Sequence, residues 1–432
     1  MSPIMTGVVG MLVMLVLLFC GMPVGFGMAI IGFFGFMYLC SFNATVAMAG
    51  FTPFAVMANY GFAVLPLFLL MANVCFHSGL GGALFELVYK WMGRLPAGLA
   101  ISTIAAMALF GAASASATAT SLTIGLVAMP EMKKHNYSRA LTTGCVAVGG
   151  VLGVYIPPSG LLIIYGMLSE QSIGELFIAG IMPGIISAIF MMITIIIWQT
   201  VNPAAAPAGP SSSMKEKLVA LGGSIEMLCL IVLIIGGIII GWFTPTEAGA
   251  MGAFGAILFS LVRRRLSWQG FRQSITDTVL NSGMLYLLMI GAFIFNAFFA
   301  LTTIPQEFAG IVTGLGLPKY AIMAMMIFIY LVLGCFIDIL PMILLTIPVF
   351  YPLCVALGFH PVWFGIIIVL VAGMASVTPP VGLAVYVIAG VAKEPIGTVF
   401  RGIIPFLAGK VVLAGILIAF PQIVLFLPGL MR

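Results

Sequence analysis

Residues 111–121, Gly111-Ala112-Ala113-Ser114-Ala115-Ser116-Ala117-Thr118-Ala119-Thr120-Ser121, alternate small side chains with hydroxyls inside an otherwise apolar stretch. Ser114, Ser116, Thr118 and Thr120, with the carbonyls between them, offer the oxygen ligands that a hard cation takes if the chain makes a tight tip there. A small-residue packing face, its Ser and Thr bonding back to their own helix, fits the same residues. Asp338, in Gly334-Cys335-Phe336-Ile337-Asp338-Ile339-Leu340-Pro341, is the one carboxylate deep in an apolar run. An Asp at that depth costs about 2.5–3.5 kcal/mol on insertion scales and needs a partner. With no Lys or Arg nearby, a bound cation fits; so does a structural Asp capping the helix after Pro341. Two Pro-Pro pairs cut further apolar runs, in Ile156-Pro157-Pro158-Ser159-Gly160 and Thr378-Pro379-Pro380-Val381-Gly382. Each pair removes two backbone donors and disfavours helix at the preceding residue, which predicts a mid-span break; a plain Pro kink is the alternative. His77, His135 and His360 are far apart, and no metal-ligand spacing such as HExxH occurs.

The elements that must position these residues are membrane helices. Of 432 residues, 63% are hydrophobic and 6% charged, with mean hydropathy +1.28. A soluble domain carries about 25% charged residues. Soluble enzymes, nucleic-acid binders, coiled coils and disordered chains are excluded, leaving an all-α polytopic membrane protein. Hydrophobic runs and their breakers predict helices over 4–20, 24–40, 53–78, 172–200, 218–241, 246–263, 275–302 and 398–427. An amphipathic surface segment is expected over 79–94, and a flexible linker over 201–217. The stretches 97–130 and 320–356 are interrupted near their middles and read as two re-entrant helical hairpins; 139–168 and 362–391 read as two Pro-Pro-broken helices. Glu247, after Thr244-Pro245-Thr246, suits a helix cap as well as a transport role. Lys410 falls inside a span, where it could snorkel or pair. The seven cysteines read as small buried hydrophobes, and the five tryptophans as an interfacial belt.

With 97–130 as a hairpin, 13 of the 16 basic residues share one face, which the positive-inside rule makes cytoplasmic. Lys319 and Arg432 fall on the other face, and both termini are expected there. The net charge of +5 therefore marks topology, not nucleic-acid binding.

The punctuation repeats. Pro130, Pro157, Pro158, Gly160, Gly180 and Pro183 are matched by Pro352, Pro379, Pro380, Gly382, Gly402 and Pro405, each at an offset of 222 residues. Residue 116 falls on Asp338 at the same offset. An odd number of crossings between the helix at 53–78 and its counterpart at 275–302 turns the second unit upside down. Inverted repeats with discontinuous helices are the mark of secondary transporters, whose site lies at the repeat interface near the bilayer midplane. Unwound backbone survives in lipid only where it lines a cavity or binds an ion or substrate.

The segments GLVAMPEMKKHNYSRALTTGCVAVGGVLGVYIPPSGLLIIYG, SIGELFIAGIMPG, TPTEAGAMGA, LLTIPVFYPL and TPPVGLAVYVIAG, in that order, closely resemble the large membrane (DctM-like) subunit of tripartite ATP-independent periplasmic (TRAP) transporters. The similarity runs over nearly the whole chain from about residue 20. It implies a multi-pass subunit in the bacterial inner membrane with an inverted-repeat, elevator-type fold. It also implies import of an organic acid driven by sodium ions, with no organic cofactor. The implied partners are a small four-helix membrane subunit and a periplasmic substrate-binding protein. By resemblance the sodium and substrate sites fall on Ser114, Ser116, Thr118, Thr120, Pro157, Pro158, Ser159, Asp338, Pro341, Thr378, Pro379, Pro380 and Gly382. The expected organisation is N-terminal scaffold helices and an amphipathic arm (1–95), a first transport repeat (96–200), a linker and scaffold helices (201–305) and a second, inverted repeat (306–432). The chain departs from the family pattern at Ala112-Ala113 of the first hairpin, at Val151, where Thr is common, and at Gly373, where Glu is frequent. A stand-alone sodium/organic-anion symporter and, further off, an ion channel are the alternatives. A membrane-embedded enzyme is disfavoured because the deep carboxylate has no His or second Asp beside it.

Overall fold

The computed structural model describes residues 1–209 and 212–430, so Arg432 lies outside the described residues. Every regular element among them is helical. Helices α1 (Pro3–Phe19), α2 (Val24–Leu39), α3 (Phe42–Met57) and α4 (Val64–His77) lead to the short α5 (Leu80–Met92). Next come α6 (Gly98–Ser114) and α7 (Ala117–Lys134), then α8 (Arg139–Gly150), α9 (Leu152–Tyr155), α10 (Gly160–Ser169) and α11 (Ile173–Val201). The middle holds α12 (Met214–Ile240), α13 (Pro245–Val262) and α14 (Trp268–Leu301). The rest is α15 (Ile304–Gly314), α16 (Lys319–Gly334), α17 (Ile339–Ala356), α18 (Pro361–Ala375), α19 (Leu383–Ala392), α20 (Ile396–Ala419) and α21 (Gln422–Gly429). Among the described residues seven helices are long and apolar enough to cross a membrane, or eight if the pair Arg139–Tyr155 and Gly160–Ser169, bent by 41°, counts as one span. This is a multi-span membrane protein.

Helix α6 and helix α7 form an antiparallel hairpin. The Leu99 amide at its base donates to the Tyr137 hydroxyl at 3.3 Å, while Ser114 and Thr120 meet at its tip. A second hairpin joins α16 to α17, where Tyr330 and Thr346, eight residues either side of Asp338, hydrogen-bond to each other. The 222-residue offset maps α7 onto 339–356, the bounds of α17, and maps the break at 156–159 onto 378–381, inside the break between Ala375 and Leu383. Packing is reciprocal: α20 lies on α8 and α11 on α18, while α19 touches α7 and α10 touches α17. Such exchange of equivalent contacts is what a two-fold axis between the halves produces.

Small residues let these helices approach. A Cβ on Gly402 would overlap the Ala140 carbonyl of α8, and one on Gly373 would lie 2.6 Å from Val151 Cγ1. The two broken helices therefore cross in contact, α18 against α9. Around this core a second group (α2, α4, α12, α13 and α14) packs mutually, with α2 and α4 both lying along α14.

Several boundaries differ from expectation. The helix expected over 53–78 is two elements: Ser41 caps α3 twelve residues before its internal Pro53, and the Asn59 side chain accepts the Gly61 amide in a turn that restarts the chain. Pro421 splits the helix expected over 398–427 into α20 and α21. Ser267 caps α14 so that it starts at Trp268, not 275. The amphipathic segment 79–94 is α5, with Leu80, Leu84, Phe85, Leu87 and Val88 buried on one face. Glu247 completes a capping box with Thr244, accepting its amide at 2.8 Å. Cys20, Cys40 and Cys229 are exposed rather than buried, because the apolar runs that hold them face outward. Trp363 is buried, its indole N–H donating to the Leu417 carbonyl at 2.9 Å, and so does not join an interfacial belt.

Candidate functional site

The first hairpin turns within two residues. Ala115 takes the left-handed conformation (φ 51°) and Ser116 is extended, its hydroxyl capping α7 through the Ala119 amide at 3.3 Å. This gathers oxygens. Ser114 Oγ and Thr120 Oγ1 lie 2.5 Å apart, Thr120 donates to the Ser116 carbonyl at 2.8 Å, and Ser114 Oγ reaches the same carbonyl at 3.2 Å. Ser114 and Thr120 are buried, Ser116 is half-buried and Thr118 is exposed.

The first break lies directly beneath. Ile156 is extended, and Ser159 caps α10 through the Leu162 amide at 3.3 Å while its hydroxyl donates to the Val154 carbonyl. A Cβ on Gly153 would sit 2.9 Å from the Ser116 carbonyl, and one on Gly160 3.4 Å from the Ala115 carbonyl. The tip thus rests its carbonyls on the two glycines that flank the break. Pro157 and Pro158 are buried on the far side, toward Phe177 of α11 and Ile235 of α12.

At the second hairpin Asp338 occupies the N-cap position of α17, makes no capping bond with its side chain, and is exposed. Pro341 is buried in the first turn of that helix, so the helix begins before it, not after. The second break touches this tip: Cys335 Sγ lies 3.3 Å from the Pro379 carbonyl, and Thr378 donates to the Met374 carbonyl at 2.8 Å. Pro379 and Pro380 are exposed, and Gly382 is buried with φ 56°.

Both hairpin tips and the first break face a cavity of about 630 Å³. Small-molecule sites commonly run from about 300 to 1,000 Å³. One wall comprises residues 114–119 with Val154, Gly160, Leu161 and Asp338–Leu340, and the other comes from α4 and α14. Ser114, Ser116, Thr118 and Asp338 line it; Thr120, Pro157, Pro158, Ser159, Pro341, Thr378, Pro379, Pro380 and Gly382 do not. The opposite wall carries polar groups that the sequence did not single out, Asn73, Asp277 and Asn281. Asp277 bonds His77 Nε2 at 2.8 Å and Gln273 Nε2 at 2.8 Å, while Asn73 donates to Thr278 at 2.9 Å, so a polar seam joins α4 to α14. His77 and Asp277 are 200 residues apart, and no local signal pairs them. Among the described residues Asp277 and Asp338 are the only charged side chains in the wall. No group of three or more His, Cys, Asp and Glu that could hold a metal occurs among the described residues. The donors at the tips are hydroxyls, carbonyls and one carboxylate, oxygen ligands of the kind that hard cations take.

A family model described as "Tripartite ATP-independent periplasmic transporter, DctM component" matches residues 11–423. The chain is 32% identical over 377 residues to the C4-dicarboxylate TRAP transporter large permease protein DctM of Pseudomonas aeruginosa, covering 87% of this chain and 88% of that one. It is 31% identical over 416 residues to the sialic acid TRAP transporter large permease protein SiaM of Vibrio cholerae, covering 96% of each. Among solved structures the Alcanivorax borkumensis YdaH transporter superposes with a TM-score of 0.58 at 15% identity, over 84% of this chain and 87% of that one, a likeness of fold.

Proposed function

The chain belongs to the DctM family of TRAP transporter large permease subunits, and from that premise we propose that it is the membrane subunit of a sodium-coupled importer of an organic acid. Large subunits of this kind work with a small membrane subunit and a substrate-binding protein; here we take the small one to have four helices. The observation that carries the reading is the cavity in which both hairpin tips and the first break converge against α4 and α14. In this reading α2–α4 and α12–α14 form the scaffold. Each hairpin enters and leaves on a single membrane face, the two on opposite faces, and together with both broken helices they form a domain that moves as an elevator. The termini face the periplasm.

Helices α7, α10 and α17 all begin at the cavity, with Ala117, Gly160 and Ile339 in its wall. Their N-termini offer partial positive charge to a substrate carboxylate. Ser114, Ser116, Thr118, Thr120 and Asp338 offer sodium its oxygens, with the backbone of the Pro157–Ser159 and Thr378–Gly382 segments completing the sites. Asp338 repels an organic anion until a cation neutralises it, which couples the two solutes without any covalent chemistry. Reconstitution with the small subunit and cognate binding protein tests the reading. Uptake of organic acid into liposomes should vanish when the sodium gradient is replaced by potassium. Uptake indifferent to sodium refutes the coupling, and an equal rate without the binding protein makes the chain a stand-alone symporter.

A further inference from the structure

Lys410 lies midway along α20 with 1% of its surface exposed, and its Nζ has no hydrogen-bond partner among the described residues. It neither snorkels nor pairs. Its Nζ instead stands 5.4 Å from the centroid of the Tyr155 ring, within cation–π range. Tyr155 is the last residue of the helix running from Arg139, immediately before the first break, and its hydroxyl is held by Ser187 of α11 at 3.1 Å.

A helix ending in mid-membrane leaves its last carbonyls without intrahelical partners, equivalent to roughly half a negative charge. Burying a lysine without a counter-ion is costly, and a helix C-terminus beneath an aromatic face is among the few surroundings that offset it. The helices packed on α20 provide no closer compensation. Helix α8 contributes Arg139, bonded to Glu394; α11 contributes Glu175 in its first turn; α18 and α19 carry no charged residue. Glu175 precedes Ser187 by twelve residues, about 18 Å of helix. The repeat does not supply the charge twice, since the 222-residue offset places Ala188 at the position equivalent to Lys410.

We propose that Lys410 is a positioning residue for transport, a built-in cation behind the first break that cancels the negative end of the Arg139–Tyr155 helix and so sets how strongly the neighbouring site holds sodium and the organic anion. The assignment rests on the sodium-coupled reading given above. A charge on that side of the break acts on the two solutes with opposite sign. Without it the site is more negative, sodium binds more tightly and the anion more weakly. At an effective dielectric of about 20, a nearby unit charge changes a monovalent ion's affinity by roughly tenfold.

The test measures half-saturating sodium and half-saturating solute for uptake by the reconstituted complex, with thermal unfolding of each purified variant as a check on folding. Lys410→Met and Lys410→Gln should lower the sodium constant roughly tenfold and raise the solute constant by a similar factor. Lys410→Arg, which keeps the charge, should leave both near wild type. A residue that only packs would move both constants together or neither. The proposal is overturned if folded Lys410→Met or Lys410→Gln leaves both constants unchanged or shifts them in the same direction, if Lys410→Arg behaves as the uncharged variants do, or if both uncharged variants fail to fold. Wild-type uptake that ignores sodium is a separate outcome and counts against the transport reading itself.

Discussion

Thr120→Val removes one hydroxyl from the first hairpin tip and keeps the shape of a side chain that is wholly buried. That hydroxyl lies 2.5 Å from Ser114 Oγ and donates to the Ser116 carbonyl at 2.8 Å. Each neutral hydrogen bond contributes about 1 kcal/mol net. Because Ser114 can still reach the Ser116 carbonyl at 3.2 Å, the tip should lose only about 1–2 kcal/mol. The sodium effect is separable from that loss. A ligand at about 100 times its Kd stabilises by about 2.7 kcal/mol, and one whose site is tenfold weaker by about 1.4 kcal/mol at the same concentration. Thermal unfolding in detergent, with sodium titrated against choline at constant ionic strength, reads this difference as a displaced midpoint. Thr123→Val is the control: its hydroxyl makes a comparable bond, to the Ala119 carbonyl at 2.7 Å, one turn further from the tip. Thr120→Val should shift the sodium midpoint upward about tenfold, and Thr123→Val should leave it in place. If Thr120→Val keeps the wild-type midpoint, the tip hydroxyls serve only to bond one another and the sodium assignment there is wrong.

Asp338→Asn keeps the volume and removes the charge, so half-saturating sodium for uptake should rise about tenfold or more; an unaltered sodium dependence would take Asp338 out of the site. Gly402→Ala drives a methyl into the Ala140 carbonyl and should destabilise the protein by about 1–3 kcal/mol, whereas Gly415→Ala, with nothing within 4 Å of its Cβ, should be neutral or stabilising. Equal unfolding temperatures for those two variants would contradict the close crossing of α8 and α20. A cleavable cross-link between cysteines replacing Ala117 and Asn281, on opposite walls of the cavity, should stop uptake until it is cut. Persisting uptake in the cross-linked protein would refute relative movement of the two walls.

What could be read from the chain beforehand follows from the range of each signal. Proline and glycine act on their own backbone, so both Pro-Pro breaks, both hairpin interruptions and the 222-residue repeat were legible. The amphipathic face of α5 and the Glu247 cap were too, being set within one or two turns. Boundaries failed where a weak local cue was outvoted. Pro53 sits inside α3 because the preceding turns of a membrane helix tolerate it, and the restart at Asn59 depends on one side-chain bond. The polar wall of Asn73, Asp277 and Asn281 was invisible because it forms only when α4 and α14, whose paired residues lie 200 or more positions apart, come together. Lys410 stood out as an oddity, but its neighbour Tyr155 is 255 residues away, and only packing brings them together.

The two repeats share their punctuation yet end in different surroundings. The first break sits under the hairpin tip and contributes Gly160 and Leu161 to the cavity, whereas Pro379 and Pro380 of the second break are exposed and outside its wall. Asp338 and Ser116 are equivalent by offset, but one is a carboxylate without a capping bond and the other a hydroxyl that caps its helix. Lys410 faces Ala188 across the same symmetry. A strictly symmetric pair of sites would hold equal charge at each break. Here positive charge is buried behind the first break and negative charge is exposed at the tip beside the second. The two charges are of opposite sign, so the transport site can take an anion and a cation while its net charge stays small. Removing both charges, with Asp338→Ser and Lys410→Ala in one chain, should therefore bring half-saturating sodium back toward wild type from the raised value of Asp338→Ser alone. A double variant whose sodium constant stays at or above that of Asp338→Ser would show that the two charges do not offset one another.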